Sequence, residues 1–463
     1  MSERLPTDLE HHLRAILGDD ALLLDQAERI VYGYDNSNHR GLPAAVALPT
    51  ETEQVAALVR ACRHHRFPIV ARGRGTNTTG ASIAVQGGLV VGFERMNRLL
   101  ALEPADRLAV VQPGLINADL QTAAAARGLF WPPDPTSAGF SSIGGNLACN
   151  AGGPRAVKYG ACRDTVLGLV AVTGRGETIR CGGATSKASA GYDFTRFIIG
   201  SEGTLALIVE ATLALTPLSP ARVTLRALYR DVVSAAAAVA RLMAQPHTPS
   251  MLEFMDGDCV RLAREVGGAD IPPAGALLMI EADGDPRALP IAAEALTRAA
   301  SGDGLIALDH ARDEAERETL FAARKALSPA LRTLAPGKIN EDVVVPVSRI
   351  PDLVAGVRAM AERSRLPVVS FGHAGNGNLH VNILYHPDDP DQTARAEALL
   401  PDLFDLALRL GGTLSGEHGI GLDKRAFMAR AHDPATLAMM GAIKMAFDPD
   451  GILNPGKLLP ESR

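Results

Sequence analysis

The chain has few cysteines and no pairing among them. Five stand at 62, 149, 162, 181 and 259, an odd number with none of the short spacings of a zinc knuckle or a redox pair. They fit a reducing compartment. A basic surplus is also missing: 46 Lys and Arg stand against 52 Asp and Glu, a formal charge of -6. Nothing there neutralises a phosphate backbone, so nucleic acid is not an expected partner. No apolar run approaches the roughly 18 residues of a membrane span, and the opening MSERLPTDLEHHLRAILGDD is polar. The expectation is a cytoplasmic protein without a transmembrane segment. Internal repeats, low-complexity tracts, an exposed partner helix and an interaction tail are absent too, which makes a pure binding or scaffold role the least favoured reading.

What is present is 463 residues, 47% hydrophobic and 21% charged, the make-up of a globular chain with two or more cores. Residues 1–40 read as a helical lead-in. In residues 41–218, AVALP reads as a strand, Thr50 and Glu53 as a capping box, and QVAALVRACRHHR as the helix behind it. Short β-rich runs broken by glycine clusters follow. TPLSPAR, with two prolines in a short stretch, marks a boundary. Residues 219–410 alternate strands with amphipathic or Ala-rich helices, an α+β pattern with helices expected on one face of a sheet. Residues 411–463 read as a small helical region that returns to the first domain.

Glycines concentrate where chemistry is expected. ARGRGTNTTGAS, Ala71 to Ser82, follows a strand-like run and can turn several backbone N–H groups toward one anion. It is not a P-loop, because Ala81 and Ser82 stand where Lys and Ser/Thr are needed, and its spacing is wrong for a dinucleotide fingerprint. PPDPTSAGFSSIGGNLACNAGG, Pro132 to Gly153, is a second such cluster, with apolar contacts to a ring expected from Ile143 and Leu147. GSEGTLALIV, from Gly200, can complete the floor. Two anion-friendly loops in one β-rich domain suit an extended cofactor carrying a pyrophosphate and a polar ring.

The order of these clusters, with NAGG before KYG at Lys158 to Gly160 and GSEGTL closing the domain, resembles the PCMH-type FAD-binding domain of the vanillyl-alcohol oxidase flavoproteins. Within that family the chain is similar to the branch of D-lactate dehydrogenase, glycolate oxidase large subunit and D-2-hydroxyglutarate dehydrogenase. The likeness runs from about residue 40 to NPGKLL at Asn454 to Leu459. It implies a PCMH-type FAD domain, an α+β ferredoxin-like substrate domain and a small helical C-terminal region. By it Arg72, Gly73, Arg74, Gly75, Thr76, Asn77, Thr78, Gly80 and Ala81 hold the FAD pyrophosphate. Pro135, Thr136, Ser142, Gly144, Gly145, Asn146 and Asn150 line the ribityl and isoalloxazine, with Gly203, Ile208 and Asn454 also at the cofactor. Covalent members carry His or Cys in the matching loops; Arg72 to Ala81 has neither, which implies non-covalent FAD.

FGHAGNGNLH places His373 and His380 on either side of a Gly/Asn loop between two strand candidates. Across a hairpin, Cβ atoms about 5 Å apart let two imidazoles reach one ion at roughly 2.1 Å. SGEHGIG adds Glu417 and His418. Two histidines and a carboxylate are a common ligand set for a divalent Zn, Mn or Fe. The resemblance likewise implies His373, His380 and Glu417 as metal ligands and His418 as catalytic base. Asn382, in alternation with His380, faces metal or substrate. Arg324, in FAARKALSPAL, matches the family's substrate arginine and suits a carboxylate through its planar fork. In the D-2-hydroxyglutarate branch a substrate lysine precedes the next strand. Counted back from Pro346 that position holds Asn340, and Lys338 lies two residues earlier.

The expectation is FAD- and metal-dependent oxidation of a small D-2-hydroxy acid, of the D-lactate, glycolate or D-2-hydroxyglutarate class, to the 2-keto acid, with an electron acceptor still to be identified and a homodimer left open. Two other classes stay in view. A metal-dependent hydrolase would use the same ligands but leave the glycine clusters idle. A non-redox flavin enzyme resembling alkylglycerone-phosphate synthase would share the fold.

Overall fold

A computed structural model describes residues 4–311 and 313–460. The chain divides into two compact units. Met1–Gly152, Gly160–Leu218 and Glu417–Arg463 form the first; Gly153–Tyr159 and Ser219–Gly416 form the second.

In the first unit, strands Ala45–Ala47, Leu89–Gly92 and Ile69–Arg72 pair in parallel. The lead-in is not purely helical: after helix Thr7–Leu17, Leu22–Leu23 joins this sheet antiparallel beside Ala45–Ala47. Helix Thr52–His64 follows from apolar residues spaced to one face, Val55, Leu58, Val59 and Cys62, all buried. The expected capping box does not form. The N-cap is Glu51, one residue later than expected, so the third helical position holds Gln54 in place of Glu53, and Gln54 Oε1 accepts from Thr50 N at 2.8 Å.

A second sheet is antiparallel, in the order Leu99–Glu103, Leu108–Val111, Ala206–Ala214, Val166–Thr173, Thr178–Gly182. Its central strands are apolar on both faces. Val170, Val172, Leu207 and Val209 share a core with the first sheet and helix Thr52–His64, while Leu169, Ala171, Ala206 and Ile208 pack with Trp131, Ile143 and Leu147. Ile143 and Leu147 are therefore fully buried core residues and cannot supply the expected ring contacts.

The second unit is built on a seven-stranded antiparallel sheet. Its order is Leu305–His310, Ala221–Tyr229, Ala276–Gly284, Met251–Asp256, Val368–Gly372, Asn378–Tyr385, Gly337–Val344. Helices cover both of its faces and not one. Met251–Asp256 is buried at every residue, and strands buried throughout need cover on each side. Gly257–Glu265 and Glu314–Ala330 share a core with Met255 and Phe371 on one face. Val232–Ala244, Leu289–Ala300, Ile350–Ser364 and Pro390–Arg409 take the other. No helix among the described residues is long and apolar enough to cross a membrane.

Candidate active site

Strand Ile69–Arg72 delivers the chain into the first glycine loop. Arg72 is buried, its guanidinium 5.8 Å from the centroid of the Tyr32 ring, and burial pulls its pKa below the ordinary value against the opposing pull of Asp35 and Glu94. Gly75 has φ 67°, and any Cβ there would collide with the Arg72 guanidinium. Among the described residues no backbone carbonyl accepts from the N–H groups of Gly73 through Thr78. That row of uncommitted donors is what a pyrophosphate requires. Asn77 shapes the loop from within: its Oδ1 accepts from Thr79 N at 3.0 Å and Ala81 N at 2.9 Å.

The second cluster lies against the first. A Cβ on Gly73 would meet Ser142 Oγ and come within 3.5 Å of Gly145 Cα, so only glycine permits this approach. Ser142 caps helix Ile143–Cys149, its Oγ accepting from Gly145 N at 3.4 Å. Asn146 and Asn150 are engaged within the protein: Asn146 Oδ1 accepts from Asn117 Nδ2 at 3.0 Å, and Asn150 Oδ1 from Arg163 N at 2.8 Å. Gly145 borders the loop, while Gly144 packs against Pro113, its N donating to Pro113 O at 2.7 Å; Pro135 is partly buried and Thr136 exposed. Gly203 and Ile208 are buried, Ile208 in the core. Asn454 Nδ2 donates to Ala81 O at 2.8 Å and Glu202 O at 2.6 Å, joining the first and third glycine stretches.

The His418 segment belongs to this unit. His418 O accepts from Asn77 Nδ2 at 3.1 Å and Thr79 Oγ1 at 3.4 Å. Just beyond, Ile420 N and Gly421 N donate to Glu202 at 2.5 and 2.8 Å. Burial pushes the Glu202 carboxyl up despite these two donors and the nearby Lys457 and Lys424. Sequence reading passed over Glu202; the one signal available to it was an acid within the third glycine stretch, GSEG at 200–203, and the structure places that acid at φ 53°. Glu417 Oε2 accepts from Gly152 N at 3.3 Å.

In the second unit the expected hairpin is present, with Phe371 opposite His380. His373 follows the end of its strand, and its ring stands 5.3 Å from that of His380, nearly perpendicular at 87°. His373 Nδ1 lies 2.6 Å from Glu253 Oε1, and Arg324 Nε donates to Glu253 Oε2 at 3.0 Å. Arg324 Cζ sits 4.4 Å from the centroid of the Phe371 ring. Glu253 is 1% exposed, His373 5%, His380 6% and Arg324 9%, so this cluster is withdrawn from water. Burial alone would raise the Glu253 carboxyl, but the charges of His373 and Arg324 hold it below its ordinary value.

A second carboxylate stands behind His380. Asp342, fully buried, accepts from Asn378 Nδ2 at 2.6 Å, Ser415 Oγ at 3.0 Å and Gly416 N at 2.9 Å, and lies 3.7 Å from His380 Nδ1. Gly416 closes the unit, and Glu417 follows one Cα spacing of about 3.8 Å later. Asn340 is opposite Asn382, and among the described residues neither side-chain oxygen has a hydrogen-bond partner. Lys338 pairs with Leu384, one further step along the face; burial and Arg332 lower its pKa. The sheet thus brings Asn340, rather than Lys338, beside Asn382. Glu253 and Asp342 were missed because nothing in their local sequence announces them.

Residues 43–182 match the FAD binding domain, and residues 218–458 match the C-terminal domain of FAD linked oxidases. The solved structure of p-cresol methylhydroxylase with substrate bound superposes with a TM-score of 0.80 at 17% identity, over 97% of this chain and 96% of that one. Glycine loops, sheets and these matches define a flavoprotein of PCMH-type fold. The chain belongs to the FAD-linked oxidase family and is an FAD-binding oxidoreductase. It is 37% identical over 453 residues to glycolate oxidase subunit GlcD of Bacillus subtilis (strain 168), covering 97% of this chain and 96% of that protein. It is 32% identical over 444 residues to a D-lactate dehydrogenase of Anaerostipes hadrus, covering 93% and 91%. This membership removes the hydrolase reading.

Proposed function

We propose that the protein oxidises a small D-2-hydroxy acid, of the D-lactate, glycolate or D-2-hydroxyglutarate class, to the 2-keto acid, using non-covalent FAD and a divalent Zn, Mn or Fe ion held by His373, His380 and Glu417. The observation that carries this reading is Arg324: a buried guanidinium fastened through Nε to Glu253, on the same cluster as the paired histidines. Among the described residues no hydrogen bond occupies its terminal nitrogens. A buried fork of that kind suits a carboxylate. The names of the relatives, glycolate oxidase subunit and D-lactate dehydrogenase, point to the same substrate class.

When bound, FAD supplies a hydride acceptor at N5, and the ion supplies positive charge that eases loss of the hydroxyl proton. Arg324 binds the substrate carboxylate and orients C2. His418 accepts the hydroxyl proton as the C2 hydride leaves, which balances the two-electron oxidation. Asn382 and Asn340 offer side-chain oxygens along the same sheet face. Lys338, buried enough to have its pKa lowered, would reach only a longer substrate with a second carboxylate.

Anaerobic mixing with a panel of D- and L-2-hydroxy acids tests this directly. Bleaching of the oxidised flavin band by a D-acid and not by its L-enantiomer is expected. A flavin that stays oxidised with every acid would move the chain to the non-redox reading. Acid precipitation of the same sample should leave all flavin in the supernatant.

A further inference from the structure

Glu253 has no part in the chemistry above, yet it is a carboxylate only 1% exposed beside both His373 and Arg324. We propose that Glu253 is a positioning residue for both halves of the substrate site: one oxygen holds His373 through Nδ1 so that Nε2 faces the ion, and the other holds Arg324 through Nε so that its two terminal nitrogens face the substrate carboxylate. This rests on the function proposed above.

Strand register puts the group in place. Glu253 shares a face with Met255, Met255 pairs with Phe371, and Phe371 pairs with His380. The carboxylate is thereby brought to residues 120 and 71 positions away, at 2.6 Å from His373 Nδ1 and 3.0 Å from Arg324 Nε. At 1% exposure an ionised carboxylate is costly unless paired, and an apolar side chain would fill the place at less cost. Its charge therefore serves something beyond packing. An ionised carboxylate can only accept hydrogen bonds, so the ring nitrogen facing it carries hydrogen and the lone pair of a neutral His373 is left on Nε2. A carboxylate behind a histidine ligand sets tautomer and ring orientation in this way. For Arg324, spending Nε on Glu253 and stacking the guanidinium 4.4 Å from the Phe371 centroid leaves a planar fork in one orientation.

Glu253→Gln separates positioning from simple stabilisation. The amide oxygen can still accept from Arg324 Nε, which turns the NH₂ group toward His373 Nδ1. His373 must then accept there, and its hydrogen moves to Nε2, which can no longer ligate. The FAD-loaded variant is expected to keep full flavin and to bind Zn²⁺ about 10- to 100-fold more weakly by calorimetric titration. Excess Zn²⁺ should restore kcat. A residue that only stabilises the fold would lower the melting temperature and leave the Zn²⁺ affinity of the folded enzyme alone. Full flavin with parental Zn²⁺ affinity overturns the proposal. A parent enzyme that binds no Zn²⁺, Mn²⁺ or Fe²⁺ would instead overturn the metal reading on which it rests. Should Glu253→Gln not fold, long-range ¹H–¹⁵N spectra of the metal-free parent decide. With His373 identified by its loss in His373→Asn, hydrogen on Nδ1 supports the proposal and hydrogen on Nε2 refutes it.

Discussion

Arg324→Ala should lower kcat/KM for the D-2-hydroxy acid by roughly 30- to 5,000-fold while FAD content stays at one per chain. The range follows from the 2 to 5 kcal/mol typically lost when one partner of a buried, charge-assisted contact is removed, at about 1.4 kcal/mol per decade. The flavin should be untouched, because Arg324 lies in the second unit and the donor-rich loop Gly73–Thr78 in the first. The substitution also takes the guanidinium, one of two side-chain partners, from Glu253, so some loss of melting temperature is expected. Arg324→Lys controls for that. It keeps the positive charge beside Glu253 but lacks the planar fork, and should recover stability more fully than turnover. Anaerobic stopped-flow reduction beside flavin quantitation reads both. Unchanged saturation and rate in Arg324→Ala would mean that the arginine serves Glu253 alone.

The second large effect separates ion binding from proton transfer. His380→Ala should abolish stoichiometric metal and flavin reduction together, without loss of FAD. Chelation of the parent enzyme should do the same. His418→Asn should keep metal and FAD yet reduce its flavin about 10²- to 10⁴-fold more slowly, the usual cost of losing a general base. The structure makes that substitution informative. Asn77 and Thr79 hold residue 418 by its backbone carbonyl, which any side chain retains, and Glu202 holds the N–H groups of Ile420 and Gly421. The loop therefore stays anchored while only the imidazole is removed. Metal analysis and anaerobic flavin reduction of both variants form the measurement. Full metal with parental rates in each would falsify the assignment of this cluster to catalysis.

Several features were legible because they are local. The glycine loops declare themselves by density, and the pair His373 and His380 by seven residues of spacing around a turn. Both depend only on what a short stretch of backbone can do. Alternation likewise placed Asn382 on the face of His380. Local reading also misled. Thr50 and Glu53 have the spacing of a capping box, but the helix starts one residue later and Gln54 takes the position. Ile143 and Leu147 looked available to a ring, and the core behind helix Ile143–Cys149 consumes them. Helix placement in the second unit failed similarly, since whether a sheet is covered on one face or two depends on which strands become central.

The sequence by itself determined where backbone could cradle an anion, which side chains could ligate or transfer protons, and the family that carries this combination. These are properties of residue type and short-range spacing. Only the tertiary structure decided what stands behind those side chains. Glu253 reaches His373 across 120 positions, Glu202 reaches Gly421 across 219, and Asp342 reaches Gly416 across 74. Each is an ordinary acid in its own stretch of sequence. Its significance arises when strand pairing and chain return remove it from water beside donors that must be satisfied, because a buried carboxylate is tolerated only where charge and hydrogen bonds meet it.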